Sequence, residues 1–247
     1  MTNDITRFRK PVALVTGAAS FLGRAICLKL AREGYDLILH YQSSLGKTKK
    51  LEKETKRLGA AVFLVKADLR KVEKVPAFVR ITMKRFKRLD LLVNNASLFY
   101  PTPLSKGRVF QWSEIFNVNL FSPYFLTKEV ASWLRKTRGC VVNLTDIYGE
   151  NPVLKDYAGY SASKAGLILI TKNLARELGP SIRINGVSPG AIFIPSAYTA
   201  QQKKALIERS ALKRQGAPED IAEAVYFLAT QRFITGQVLK VDGGRFL

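Results

Sequence analysis

Histidine occurs once in these 247 residues, and cysteine and tryptophan twice each. One histidine and two distant cysteines leave no ligand cluster, so no metal is expected. Cys27 and Cys140 both lie inside apolar patterns, which fits buried reduced thiols and not a disulfide framework. The expected setting is cytoplasmic. No apolar run is long enough to span a bilayer, so no membrane association is expected. The segment Met1 to Lys10 is polar and lacks the apolar core of a secretory signal. Acidic residues are scarce too: 19 Asp and Glu stand against 40 Lys and Arg, a formal net charge of +21.

Residues 1–110 hold 23 basic and 8 acidic residues. Most of the cations fall on two amphipathic stretches, 45–59 and 73–88. There they alternate with Leu51, Leu58, Val75, Phe78, Ile81 and Phe86 as exposed helix faces do. No helix-turn-helix, zinc-finger or RNP pattern accompanies the charge, so no dedicated nucleic-acid partner is expected. What remains is attraction of anionic ligands, with some non-specific RNA binding.

The 47% hydrophobic content suits one domain over 1–247 with a full core. Short apolar runs at Pro11–Thr16, Asp36–His40, Ala61–Lys66, Asp90–Asn94, Cys140–Thr145, Arg183–Ser188 and Gln237–Val241 read as strands. Between them, 20–33, 45–59, 73–88, 111–136, 157–178 and 218–229 read as helices. This alternation predicts an α/β fold, a Rossmann-type doubly wound parallel sheet of about seven strands with helices on both faces. Two long loops, 96–110 and 189–200, follow strand C-termini, where open α/β sheets bind ligands.

Tyr160 and Lys164 lie four apart at the start of a predicted buried helix and so share a face. A lysine ammonium there is expected to favour phenolate and lower the Tyr160 pKa, making a general acid/base. Thr16-Gly17-Ala-Ala-Ser20-Phe21-Leu22-Gly23 joins the first strand to the first helix. Gly17 permits a tight turn, Ala18 to Ser20 let backbone approach a pyrophosphate, and Gly23 allows close helix–strand packing. The second strand ends His40-Tyr41-Gln42-Ser43-Ser44 with no carboxylate before Glu52. An NAD site usually places an acid there. Its absence, with Ser43, Ser44 and Lys47 near, predicts NADP(H). His40 is either a ligand contact or a buried strand-end residue. Asp68-Leu69 ends the third strand, where Asp68 meets an adenine amine or caps a turn. Asn94-Asn95-Ala96 ends the fourth and suits backbone lying against a cofactor. Asn119, inside an amphipathic helix, makes either a structural bond or a proton-relay water site. Asp146, just past the fifth strand, is a turn cap or a second proton-handling group.

In this order, Thr16-Gly17-x5-Gly23, Asp68-Leu69, Asn94-Asn95-Ala96, Asn119, Tyr160-x3-Lys164, Ser188-Pro189-Gly190 and Val241-Asp242-Gly243-Gly244 resemble the short-chain dehydrogenase/reductase family across essentially the whole chain. The resemblance implies a catalytic Asn–Ser–Tyr–Lys set, filled here by Asn119, Tyr160 and Lys164, with Asp146 in the Ser place. It also implies cofactor contacts at Leu22, Tyr41, Ser97, Lys164, Pro189 and Gly190, beside those named above, and a homotetramer. Asp146, together with Asn95-Ala96-Ser97-Leu98-Phe99-Tyr100-Pro101-Thr102-Pro103, is similar to the pteridine reductase branch. That branch often carries Arg at the positions of Phe21 and Ser43. By this resemblance Phe99 would stack a pterin ring and Ser97 would hydrogen-bond pterin or cofactor, with Asp146 and Tyr160 facing the substrate.

The expected activity is NADPH-dependent reduction of a pterin, dihydropterin to tetrahydropterin, with dihydrofolate as a further candidate substrate. The alternative is a carbonyl or 3-oxoacyl-carrier-protein-type reductase using the same Tyr and Lys. A third reading is a non-catalytic scaffold that binds nucleotide or RNA through its basic face.

Overall fold

Seven stretches too apolar for one-sided burial pair into one parallel sheet: β1 (Val12–Val15), β2 (Asp36–Tyr41), β3 (Val62–Lys66), β4 (Leu91–Asn94), β5 (Cys140–Leu144), β6 (Arg183–Pro189) and β7 (Val238–Val241). The computed structural model describes residues 10–151, 155–194 and 199–247. Most of the polar N-terminal segment and the middle of the loop 189–200 lie outside them. Strand order is β3-β2-β1-β4-β5-β6-β7. In register, Leu14 faces Ile38 on one side and Leu92 on the other, and Val93 faces Val142. Every residue of β1, β4 and β5 is buried, as a sheet covered on both faces requires.

The chain reverses direction across the sheet between β1 and β4, opening a crevice at the strand C-termini. One layer comprises α1 (Phe21–Arg32), α2 (Leu45–Arg57) and α8 (Pro218–Thr230), packed on Val15, Leu39 and Val142 through Ile26, Leu51 and Val225. The other comprises α3 (Val75–Phe86), α5 (Ser122–Thr137) and α6 (Ala158–Leu178), packed on Leu14, Leu92 and Val141 through Phe78, Leu126 and Leu174.

Two helices depart from expectation. The single helix expected over 111–136 is divided into α4 (Val109–Phe116), a wide π turn over Asn117–Phe121, and α5. Pro123 has no N–H, so the Asn119 carbonyl has no donor four residues on and regular α-helix cannot continue. The second is α7 (Ala200–Glu208), beyond the loop predicted to end at 200. Thr199 caps it by accepting from Gln202 N at 3.2 Å, while Gln202 Oε1 accepts from Thr199 N at 2.9 Å. That reciprocal pattern is legible as Thr199-x-x-Gln202.

Candidate active site

The turn from β1 into α1 is held from behind by β4. Thr16 Oγ1 accepts from Asn95 N at 2.9 Å and Ala96 N at 3.0 Å. Asn95 Nδ2 donates to Thr16 O at 2.8 Å and Gly17 O at 3.0 Å. The Asn95 amide is therefore a pin for the turn. Gly17 has φ of 60°, the left-handed region that glycine enters freely. A Cβ on Gly23 would clash with the Gly17 carbonyl and stand 2.8 Å from Asn95 Nδ2, which is why this position must be small. Ser20 caps α1 by accepting from Gly23 N at 3.1 Å.

From this turn a cavity of about 460 Å³ runs along the strand ends. Of the expected cofactor residues, Gly17, Ser20, Phe21, Leu22, His40, Tyr41, Ser43, Ser44, Asp68, Leu69, Asn95, Ala96 and Ser97 line it. Gly23, Lys164, Pro189 and Gly190 do not. Pro189 pairs with Val241, and Gly190 donates its N–H to Val241 O at 3.0 Å. A side chain at Gly190 would collide with Asp242, so its smallness serves the β6–β7 junction. Val118, Arg70 and Phe193 also line the cavity, and the sequence carried no motif for them. Phe21, half-exposed, meets Phe193 edge to face with centroids 5.6 Å apart.

His40 is buried at the strand end and also borders the cavity. Its Nδ1 accepts from Gly17 N at 3.1 Å, and Nε2 lies 3.2 Å from Ala67 O, so the ring clamps the turn to the end of β3. Desolvation pushes its pKa down to about 4, against the hydrogen bond to Ala67. It is a neutral imidazole at physiological pH. Asp68 lines the cavity, and both of its oxygens accept from the Arg70 guanidinium, at 2.9 to 3.2 Å.

At the C-terminal end of β5, Tyr160 Oη donates to Asp146 Oδ2 at 2.6 Å. The other oxygen, Oδ1, accepts from Tyr148 N at 2.9 Å. Lys164 Nζ donates to Leu144 O at 2.7 Å and lies 5.7 Å from the Tyr160 ring centroid. The shared helix face therefore forms, yet the expected lowering of the Tyr160 pKa does not. Desolvation and the Asp146 carboxylate raise it well above the ordinary phenol range. Desolvation likewise raises Asp146 and pushes Lys164 down to about 8. Loss of water outweighs the lysine's attraction in this pocket.

Asn119 lies on the π turn with its amide fully engaged. Oδ1 accepts from Leu98 N at 2.8 Å and Ser97 Oγ at 3.3 Å. Nδ2 donates to Leu98 O at 3.0 Å and Ser163 Oγ at 3.1 Å. An amide side chain has two donor hydrogens and two lone pairs, so nothing is left for a relay water on the side chain. The Asn119 side chain makes structural bonds and holds the Ser97-Leu98 strap. Beyond the strap the half-exposed Phe99 ring stacks on Tyr157 at 4.6 Å and meets Tyr160 edge to face at 4.7 Å. Tyr157 was not foreseen, and no motif marked it. Among the described residues no cluster of His, Cys, Asp or Glu could hold a metal, and no helix is long and apolar enough to cross a membrane.

A family model described as enoyl-(acyl carrier protein) reductase matches residues 17–245, from the turn after β1 to four residues past β7. The chain belongs to the short-chain dehydrogenase/reductase family. Curated relatives in this family include 3-oxoacyl-[acyl-carrier-protein] reductase FabG of Staphylococcus epidermidis, 36% identical over 95% of this chain and 98% of that protein. The enzymes of the same name from Synechocystis sp. and Thermotoga maritima are 34% and 35% identical over 97% and 96% of this chain, and 98% of each relative is covered. A solved structure, a blue fluorescent protein from a metagenomic library in complex with NADPH, aligns with a TM-score of 0.89 at 30% identity. That alignment covers 96% of this chain and 98% of the other. These relatives carry the 3-oxoacyl reductase name given above as the alternative. They do not support the pteridine reductase branch that Asp146 and Phe99 suggested.

Proposed function

We propose that this chain is an NADP(H)-dependent reductase whose proton donor is Tyr160. The observation that carries the reading is the Tyr160–Asp146 hydrogen bond of 2.6 Å, with Lys164 beneath it, at the strand ends next to the dinucleotide cavity. The residues fit the dinucleotide: a glycine turn opening a helix N-terminus, small side chains behind it, and no acid at the end of β2. When bound, the nicotinamide supplies the hydride. Gly17, Ser20 and the first turn of α1 would hold the phosphates, Ser43, Ser44 and Lys47 would take the 2′-phosphate, and Lys164 would orient the nicotinamide ribose. Tyr160 stays protonated because its surroundings penalise phenolate, and it gives its proton to the atom that becomes negative as reduction proceeds. Asp146 accepts the hydrogen bond of the Tyr160 hydroxyl and so would orient the proton that is given up, and Tyr160 would be reprotonated from solvent.

The names of the relatives support a 3-oxoacyl thioester as substrate. In that reading the Asp146 carboxylate would have to take up a proton as the alkoxide develops, since a charged one would repel it, and the burial that raises its pKa favours that uptake. A second reading, reduction of a pterin C=N bond, is favoured by the half-exposed Phe99 ring next to Tyr160, a platform for a flat heterocycle. The test is loss of reduced-nicotinamide absorbance with NADPH and either acetoacetyl thioester or dihydrobiopterin. Turnover of the thioester alone supports the first reading, turnover of the pterin alone the second, and turnover of neither overturns both. Tyr160→Phe is expected to reduce turnover about 10³-fold or more while NADPH affinity stays within about twofold. Undiminished turnover would remove Tyr160 from its role.

A further inference from the structure

The end of the cavity under β2 and β3 is where an adenosine belongs, because the phosphates are fixed at the α1 N-terminus and the chain's topological switch sets the ligand's direction. One wall there is unusual. Arg70, two residues past Asp68 and within the turn that follows it, lines the cavity with its guanidinium bonded on three sides. Nε donates to Asp68 Oδ1 at 2.9 Å, Nη2 to Asp68 Oδ2 at 2.9 Å, and Nη1 to Glu114 Oε1 at 3.1 Å. Glu114 is itself fixed by Tyr100 Oη at 3.3 Å, and the Arg70 carbonyl accepts from Asn117 Nδ2 at 2.9 Å. Three in-plane hydrogen bonds to two carboxylates orient the guanidinium by its edges and leave its two faces without a hydrogen bond.

We infer that Arg70 is the adenine-recognition residue of this site, offering the flat face of its guanidinium as a stacking wall for the base. The two carboxylates cancel its charge, so Arg70 adds little attraction for a 2′-phosphate. Lys47, on the same cavity wall with no carboxylate bonded to it among the described contacts, is the cation left for that group. The two cationic side chains thus divide the work: Arg70 reads the base common to NADPH and NADH, and Lys47 reads the phosphate that distinguishes them. This inference rests on the dinucleotide reading given above.

The experiment compares binding of NADPH, NADH and reduced nicotinamide mononucleotide, by nicotinamide fluorescence, to the unaltered protein and to Arg70→Ala, Arg70→Lys and Lys47→Met. Arg70→Ala and Arg70→Lys are expected to weaken NADPH and NADH by the same factor, about 5- to 30-fold, the usual worth of a base-stacking contact. The mononucleotide, which has no adenine, should bind within about twofold of the unaltered protein. Lys47→Met should weaken NADPH alone. Equal loss for the mononucleotide would make Arg70 a structural bracket only, and so would rescue by Arg70→Lys. Loss confined to NADPH would make it a phosphate ligand, and no loss would end the proposal. Failure of the unaltered protein to bind NADPH would instead overturn the proposed function.

Discussion

Tyr160, Lys164 and His40 show how far a side chain's chemistry depends on what surrounds it. The sequence spacing puts Lys164 under Tyr160, and a lysine near a phenol in water would lower its pKa. Both are buried, however, and each loses its charged form's hydration, so the phenol rises and the ammonium falls to about 8. The expected consequence is a descending limb in kcat/KM near pH 8, as Lys164 loses its proton in the free enzyme. A profile flat from pH 7 to 9 would show that this lysine keeps its charge. His40 gives a stability effect of opposite sense. Its pKa is depressed from 6.5 to about 4, so its contribution is fully present above pH 6.5 and is lost as pH falls through about 4. The shift corresponds to about 3 kcal/mol. Urea unfolding between pH 4 and 7 should show this loss in the unaltered protein and a flatter curve in His40→Asn. Parallel curves would remove His40 as the cause.

The element that departs most from its sequence pattern is the α4–α5 passage. Apolar spacing read it as one helix, because spacing reports which face is buried and not where the hydrogen-bond ladder breaks. Pro123 was the available sign, since it removes the donor that the Asn119 carbonyl would use. The widened turn presents the Asn119 amide to the Ser97-Leu98 backbone, and so couples α5 to the strap that leads to Phe99. Asn119→Ala would strand the Leu98 N–H and carbonyl. The expected cost is about 3 kcal/mol, seen as a lower urea midpoint together with reduced turnover. A change below about 1 kcal/mol would mean that the strap holds itself. α7 was missed for a different reason. Its sequence is polar with no buried residue, so the apolar pattern is silent and only the Thr199–Gln202 cap marks it.

For the whole molecule the dominant quantity is the +21 charge. A polyanionic dinucleotide approaching such a surface is attracted from beyond contact distance, and salt screens that attraction. KM for NADPH is expected to rise by roughly tenfold between about 0.05 and 0.5 M salt, and KM for NADH by less, since NADH lacks the 2′-phosphate. Equal, weak salt dependence for both would place the cations too far from the cavity to matter.

By itself the sequence determined the strand and helix alternation, hence the parallel sheet and its crevice, because hydrophobic period and glycine placement are local properties. It also determined which residues gather there: the Gly17 turn, Asp146, Tyr160 and Lys164 follow from ordered motifs on that frame. Only the tertiary structure decided their states. Whether Tyr160 is acid or phenolate depends on how much water reaches it. How the Asp68 carboxylate is held depends on an arginine two residues on, which a glutamate 44 residues away also binds. What the Asn119 side chain bonds depends on a strap that follows another strand. Hydration and long-range hydrogen bonding arise from packing, and no window of sequence contains them.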